Sequence, residues 1–93
     1  MEIRLVQVGL HLEGCLSLKE KRQRLSGLKT RLGQLAQYAI CESDHADLPQ
    51  SAEWSIVVLA PNNASMSRHL SQLEQMIIES LDARITHFEQ QPL

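Results

Sequence analysis

IRLVQVGLHL, residues 3–12, separates into two alternating sets: Val6, Val8, Leu10 and Leu12 on one side, and Ile3, Leu5, Gln7, Gly9 and His11 on the other. A period of two marks an extended strand, and apolar residues in both sets suit a strand inside a sheet. Glu13 and Gly14 open a loop. Ser17-Leu18-Lys19-Glu20 then forms a capping box, in which the Ser17 hydroxyl accepts an N–H of the first helical turn and Glu20 reaches back. The period changes here to 3.6: Leu18, Leu25, Leu28, Leu32 and Leu35 share one stripe and predict a helix over 18–37.

Working outward, residues 38–43 predict a short second strand and residues 44–52 a polar loop containing Pro49. Residues 53–60 predict a third strand, apolar on both faces through Trp54, Ile56, Val57, Val58 and Leu59, ended by the turn residues Pro61, Asn62 and Asn63. Met66, Leu70, Leu73, Ile77 and Leu81 predict a second helix over 65–81, and residues 83–89 a fourth strand. Gln90, Gln91, Pro92 and Leu93 are expected to fray. The order βαββαβ has a favoured solution in the α+β class, a ferredoxin-like sandwich. Its four-stranded antiparallel sheet runs 4-1-3-2 with both helices on one face. Strands one and three, the two segments apolar on both sides, then lie in the centre, and the shorter, more polar strands two and four lie at the edges. The uncovered face carries Ile3, Leu5 and part of the strand-three set, so it is expected to be apolar and to support a homodimer.

With 93 residues the chain makes one domain, 1–93. Its aromatic residues are only Tyr38, Trp54 and Phe88, so the core must be aliphatic. Two cysteines, Cys15 and Cys41, make no disulfide framework. The N-terminal residues do not read as a signal peptide, and the longest apolar run, residues 56–60, is too short to span a bilayer. A cytoplasmic protein with reduced thiols is expected. A glycine-rich phosphate loop, an HExxH helix and a nucleophile elbow are all missing, so no enzyme, cofactor or small-molecule substrate is expected. His11-x3-Cys15 and Cys41-x3-His45 offer four metal-binding side chains. However, strand three separates the pairs and their spacing is not the tight CxxC of closed zinc sites, so no metal is expected. His69 reads as an exposed helical residue. RNA-recognition sheets stack bases on aromatics of strands one and three, and here only Trp54 is available, so the sheet does not read as a base-stacking platform.

Charge placement is the sharpest signal. Residues 19–31 hold Lys19, Lys21, Arg22, Arg24, Lys29 and Arg31 against Glu20 alone, a segment charge of +5. The other three basic and ten acidic residues leave −7 for the rest of the chain. Lys19, Lys21 and Arg22 stand in the first turns of a helix, where the macrodipole disfavours cations by roughly 0.3–1 kcal/mol each. Helix physics does not ask for them there, whereas a helix N-terminus with added cations suits phosphate. Ser17, Lys19, Arg22 and Lys29 are the candidate anion- or RNA-binding residues. By angle, Arg22 and Lys29 border the leucine stripe on one side and Arg24 and Arg31 on the other, a position that also suits cations whose stems lie over the core edge. Lys21 falls within the apolar stripe and needs a carboxylate from Glu42, Asp44 or Asp47, with Asp47 the expected structural ion pair.

Ser17-Leu18-Lys19-Glu20-Lys21-Arg22 after Leu10-His11-Leu12 resembles the YlxP-like family, a bacterial domain of unknown function, over nearly the whole chain. Residues 39–43, Asp47-x-x-Gln50 and residues 53–60 match in order, with Pro49 where the family usually has tryptophan. The resemblance implies a ferredoxin-like fold. Family genes often lie beside those for translation initiation and ribosome maturation, which implies ribosomal RNA or ribosomal particles as partners. The expectation is a non-enzymatic accessory protein acting through its basic first helix. The alternative is an interaction module that homodimerises through its open sheet, with no nucleic-acid role.

Overall fold

The two periodicities become two layers. The computed structural model describes residues 1–93 in the order β1 (Glu2–His11), α1 (Leu18–Gly33), β2 (Tyr38–Asp44), β3 (Ser51–Ala60), α2 (Asn63–Ser80) and β4 (Arg84–Pro92). The class is α+β, with an antiparallel sheet ordered β2-β3-β1-β4, which is the expected order read from the opposite edge. No helix is long and apolar enough to cross a membrane.

Register explains where the core sits. Val6 pairs with Ile56, Val8 with Trp54 and Leu10 with Ala52, so the even-numbered residues of both central strands share a face. All six are buried, and Leu25, Leu28 and Leu32 of α1 join Met66, Leu73 and Ile77 of α2 in the same cluster. Both helices therefore cover one face of the sheet. Leu70, expected with that set, is only partly buried at its margin.

Strand β3 starts at Ser51, earlier than the expected residue 53, and three further boundaries move for local reasons. Helix α1 ends at Gly33 with Gln34 as its cap, short of residue 37, because glycine costs a helix about 1 kcal/mol relative to alanine. Helix α2 starts at Asn63 rather than residue 65, because the Asn62 side chain caps it by accepting from the Ser65 N–H at 2.8 Å. Strand β4 does not fray after Glu89. Gln90, Gln91 and Pro92 pair with Val6, Leu5 and Arg4, and the Leu93 N–H donates to the Ile3 carbonyl at 3.0 Å. This polar tail is held by backbone bonds to a central strand, and the edge position tolerates Pro92.

The open face is not apolar throughout. Ile3 opposite Leu59 and Leu5 opposite Val57 make one apolar end. Gln7 opposite Ser55, Gly9 opposite Glu53 and His11 opposite Ser51 make the other end polar.

Candidate functional site

The start of α1 is built by its cap. Ser17 is extended (φ −149°, ψ 159°), and its hydroxyl accepts from the Glu20 N–H at 3.1 Å. Glu20 closes the box by accepting from the Leu16 N–H at 3.2 Å. The buried Cys15 thiol beside it, helped by the Leu16 N–H and Arg24, holds the Glu20 carboxyl below its ordinary range. Burial in turn pushes the Cys15 thiol up. The Glu20 carboxylate thus lies beside the helix start, bonded to the Leu16 N–H just before the cap, while the Ser17 hydroxyl takes one of the four N–H groups that a helix start leaves without acceptors. An outside anion would be held mainly by side chains.

The six cations of the segment sort into two groups. Lys21 is 3% exposed, with Nζ 2.9 Å from Glu42 Oε2 and donating to the carbonyls of His45 at 2.8 Å and Leu48 at 3.0 Å. The expected Lys21–Asp47 pair is therefore corrected to Lys21–Glu42: the loop offers Lys21 its carbonyls, and Asp47 itself faces solvent. The well-directed N–H bonds go to those carbonyls, and Glu42 Oε2 is held by charge rather than by an aligned hydrogen bond. Arg24 donates to the Glu13 carbonyl at 2.9 Å and lies 3.5 Å from Glu20 and 3.9 Å from Asp82. Arg31 donates to Ser80 Oγ at 3.0 Å.

Lys19, Arg22 and Lys29 have no hydrogen-bond or ion-pair partner within the chain. Their spacing of three and seven residues keeps them on one side of α1 over about 15 Å of its axis. Arg22 and Lys29 border a cleft of about 230 Å³ between α1 and the loop after β2, where Lys21, Glu42, Ala46 and the buried Trp54 also contribute. The candidate residues Ser17, Lys19, Arg22 and Lys29 thus lie along one helix edge, with Ser17 committed to capping. Trp54 at the cleft was not part of the sequence expectation. The available signal was its even-numbered position in β3, which points it under α1.

The other candidates disperse. His11 Nε2 lies 3.0 Å from Glu13, Cys15 is buried, Cys41 is exposed on the edge strand β2, and His45 lies against Asp44, so the quartet does not assemble. His69 is half-buried rather than exposed. Its Nδ1 lies 3.2 Å from the Leu59 carbonyl, and its own carbonyl accepts from the Tyr38 hydroxyl at 2.7 Å.

A family model described as a protein of unknown function (DUF503) matches residues 3–90. The chain belongs to this family. The DUF503 match spans the cap, the unpaired cations and the cleft alike. No curated protein matches the chain.

Proposed function

We propose that this chain is a non-enzymatic accessory protein that docks on ribosomal RNA or ribosomal particles through the outer edge of α1. The observation that carries this reading is the sorting of cations: three of six are used internally, and Lys19, Arg22 and Lys29 are left unpaired along one edge. Unpaired cations in a row suit a phosphate backbone, since each phosphate contact releases counterions. The resemblance to the YlxP-like family and the genes that accompany it support the ribosomal partner, and the βαββαβ order supports the ferredoxin-like name. The cleft beside Trp54 gives the neighbouring nucleotide a place to lie, with Arg22 and Lys29 at its margin.

The test is co-sedimentation with ribosomal particles from the native host. The parent co-sediments at low salt, and Lys19→Glu with Arg22→Glu does not. A parent that stays in the supernatant at every salt concentration removes the ribosomal reading, and a variant that pellets like the parent removes this helix as the site.

A second reading rests on a separate observation. Ile3, Leu5, Val57 and Leu59 adjoin on the open face, and Leu59 is 40% exposed. A homodimer through that end would cover them. Sedimentation equilibrium of the parent against Leu59→Lys decides it, with a concentration-dependent mass in the parent alone as the supporting result.

A further inference from the structure

The polar end of the open face brings together side chains that lie far apart in sequence. Gly9 of β1 pairs with Glu53 of β3 on one side and with His87 of β4 on the other. A Cβ on Gly9 would overlap the His87 ring and the Thr86 hydroxyl, so only glycine lets His87 lie across β1 toward Glu53. The ladder of β2 slips between Glu42 and Asp44, which brings Asp44 opposite Glu53. A bulge of this kind re-aims a side chain, here onto the open face beside Ser43, whose hydroxyl accepts from Ser55. His45 follows with φ 61°. Ligand atoms of Asp44, His45 and Glu53 all fall within 4.8 Å of one another, and His87, outside that trio, approaches Glu53 from β4 on the far side of β1.

We propose that Asp44, His45, Glu53 and His87 form a site for a divalent transition metal of the zinc class. His87 Nε2 lies 3.6 Å from Glu53 Oε1, and His45 Nδ1 lies 3.8 Å from Asp44 Oδ1. Both separations exceed the roughly 2.7–3.2 Å of an N–H···O hydrogen bond. They approach the roughly 3.3–3.5 Å between neighbouring ligands of a tetrahedral ion with bonds of about 2.0–2.2 Å. The Glu53 side chain is only 19% exposed on a central strand, yet no donor in the chain hydrogen-bonds to its carboxylate and no lysine or arginine pairs with it. The two carboxylates offer negative charge to a dication, and the two imidazoles offer nitrogen donors. Imidazole donors select zinc-class ions over magnesium and calcium, which prefer all-oxygen shells. An ion held there would tie β2, β3 and β4 together across Gly9.

The test uses the full chain without an affinity tag, titrated with Zn²⁺ at neutral pH by calorimetry and by nitrogen NMR of the histidine rings. One Zn²⁺ should bind per chain, with metal-bound shifts on His45 and His87 and none on His11 or His69. Glu53→Gln should weaken binding by about tenfold or more, since even outer-shell changes cost about 10–100-fold, whereas His69→Gln should bind like the parent. No saturable binding in excess Zn²⁺ overturns the proposal. So do metal-bound shifts on His11 or His69 in place of His45 and His87, and so does unchanged affinity in Glu53→Gln. The ring shifts are read on the parent, so the outcome does not depend on any variant folding.

Discussion

On the inner side of α1, Lys21 is buried, gives two hydrogen bonds to loop carbonyls and rests against Glu42. On the outer side, Lys19, Arg22 and Lys29 meet no partner at all. One residue class thus meets two environments within a single helix. The inner lysine is accounted for by folding, because an unpaired buried charge is expensive and its partners are all in place. No hydrogen bond or ion pair of the fold uses the outer three, and the proposed ribosomal docking rests on that remainder.

The largest expected effect is on the inner side. Lys21→Ala leaves Glu42 and two carbonyls without their cation and should cost about 4 kcal/mol in urea unfolding, within the usual range for breaking a buried pair. Lys21→Met with Glu42→Gln should recover part of that loss, because no unmatched charge is left behind. A single-variant loss below about 1 kcal/mol, the worth of an exposed pair, would erase the contrast between the two sides. Leu28→Ala, about two turns further along the same stripe and 4% exposed, should cost about 3 kcal/mol.

Smaller effects sharpen the boundary between the sides. Ser17→Ala removes the cap and should cost about 1 kcal/mol. Glu20 has a folded pKa below its ordinary value, so its contribution is fully present above the ordinary carboxylate range and is lost as pH falls through the folded value. The parent should therefore lose stability on acidification through that window, and Glu20→Gln should show a flatter profile there. Parallel profiles would mean that the carboxylate is not held at the helix start. The last effect has the opposite sign: Lys19→Glu with Arg22→Glu puts acidic residues where the macrodipole favours them and should leave stability at the parent's level or raise it by up to about 1 kcal/mol.

Local chemistry made much of this legible in the sequence. The alternation of Val6, Val8 and Leu10, the Ser17–Glu20 box and the Leu25, Leu28 and Leu32 part of the leucine stripe each rest on neighbours within a few residues and are found where the pattern put them, whereas Leu18 is exposed and Leu35 lies beyond the end of α1. The burial of Lys21 was also legible, because it falls within that stripe. Its partner was not, because the choice among Glu42, Asp44 and Asp47 depends on the register slip at the end of β2 and on the positive φ of His45. The pairing of Gln90, Gln91 and Pro92 was equally hidden, since backbone bonds to β1 hold a segment with no apolar pattern. The same limit applies to Glu53 and His87, which meet only through a glycine on the strand between them.

Whether the outer edge of α1 binds phosphate, as proposed, is read most directly from the affinity for a ribosomal RNA fragment across a salt series. Three phosphate contacts predict that log K falls against log salt with a slope of about −2 to −3 for the parent. For Lys19→Glu with Arg22→Glu the account predicts binding too weak to give a slope, with the fold intact. A variant that matches the parent in both affinity and slope would contradict it, as would a parent whose RNA binding does not change with salt.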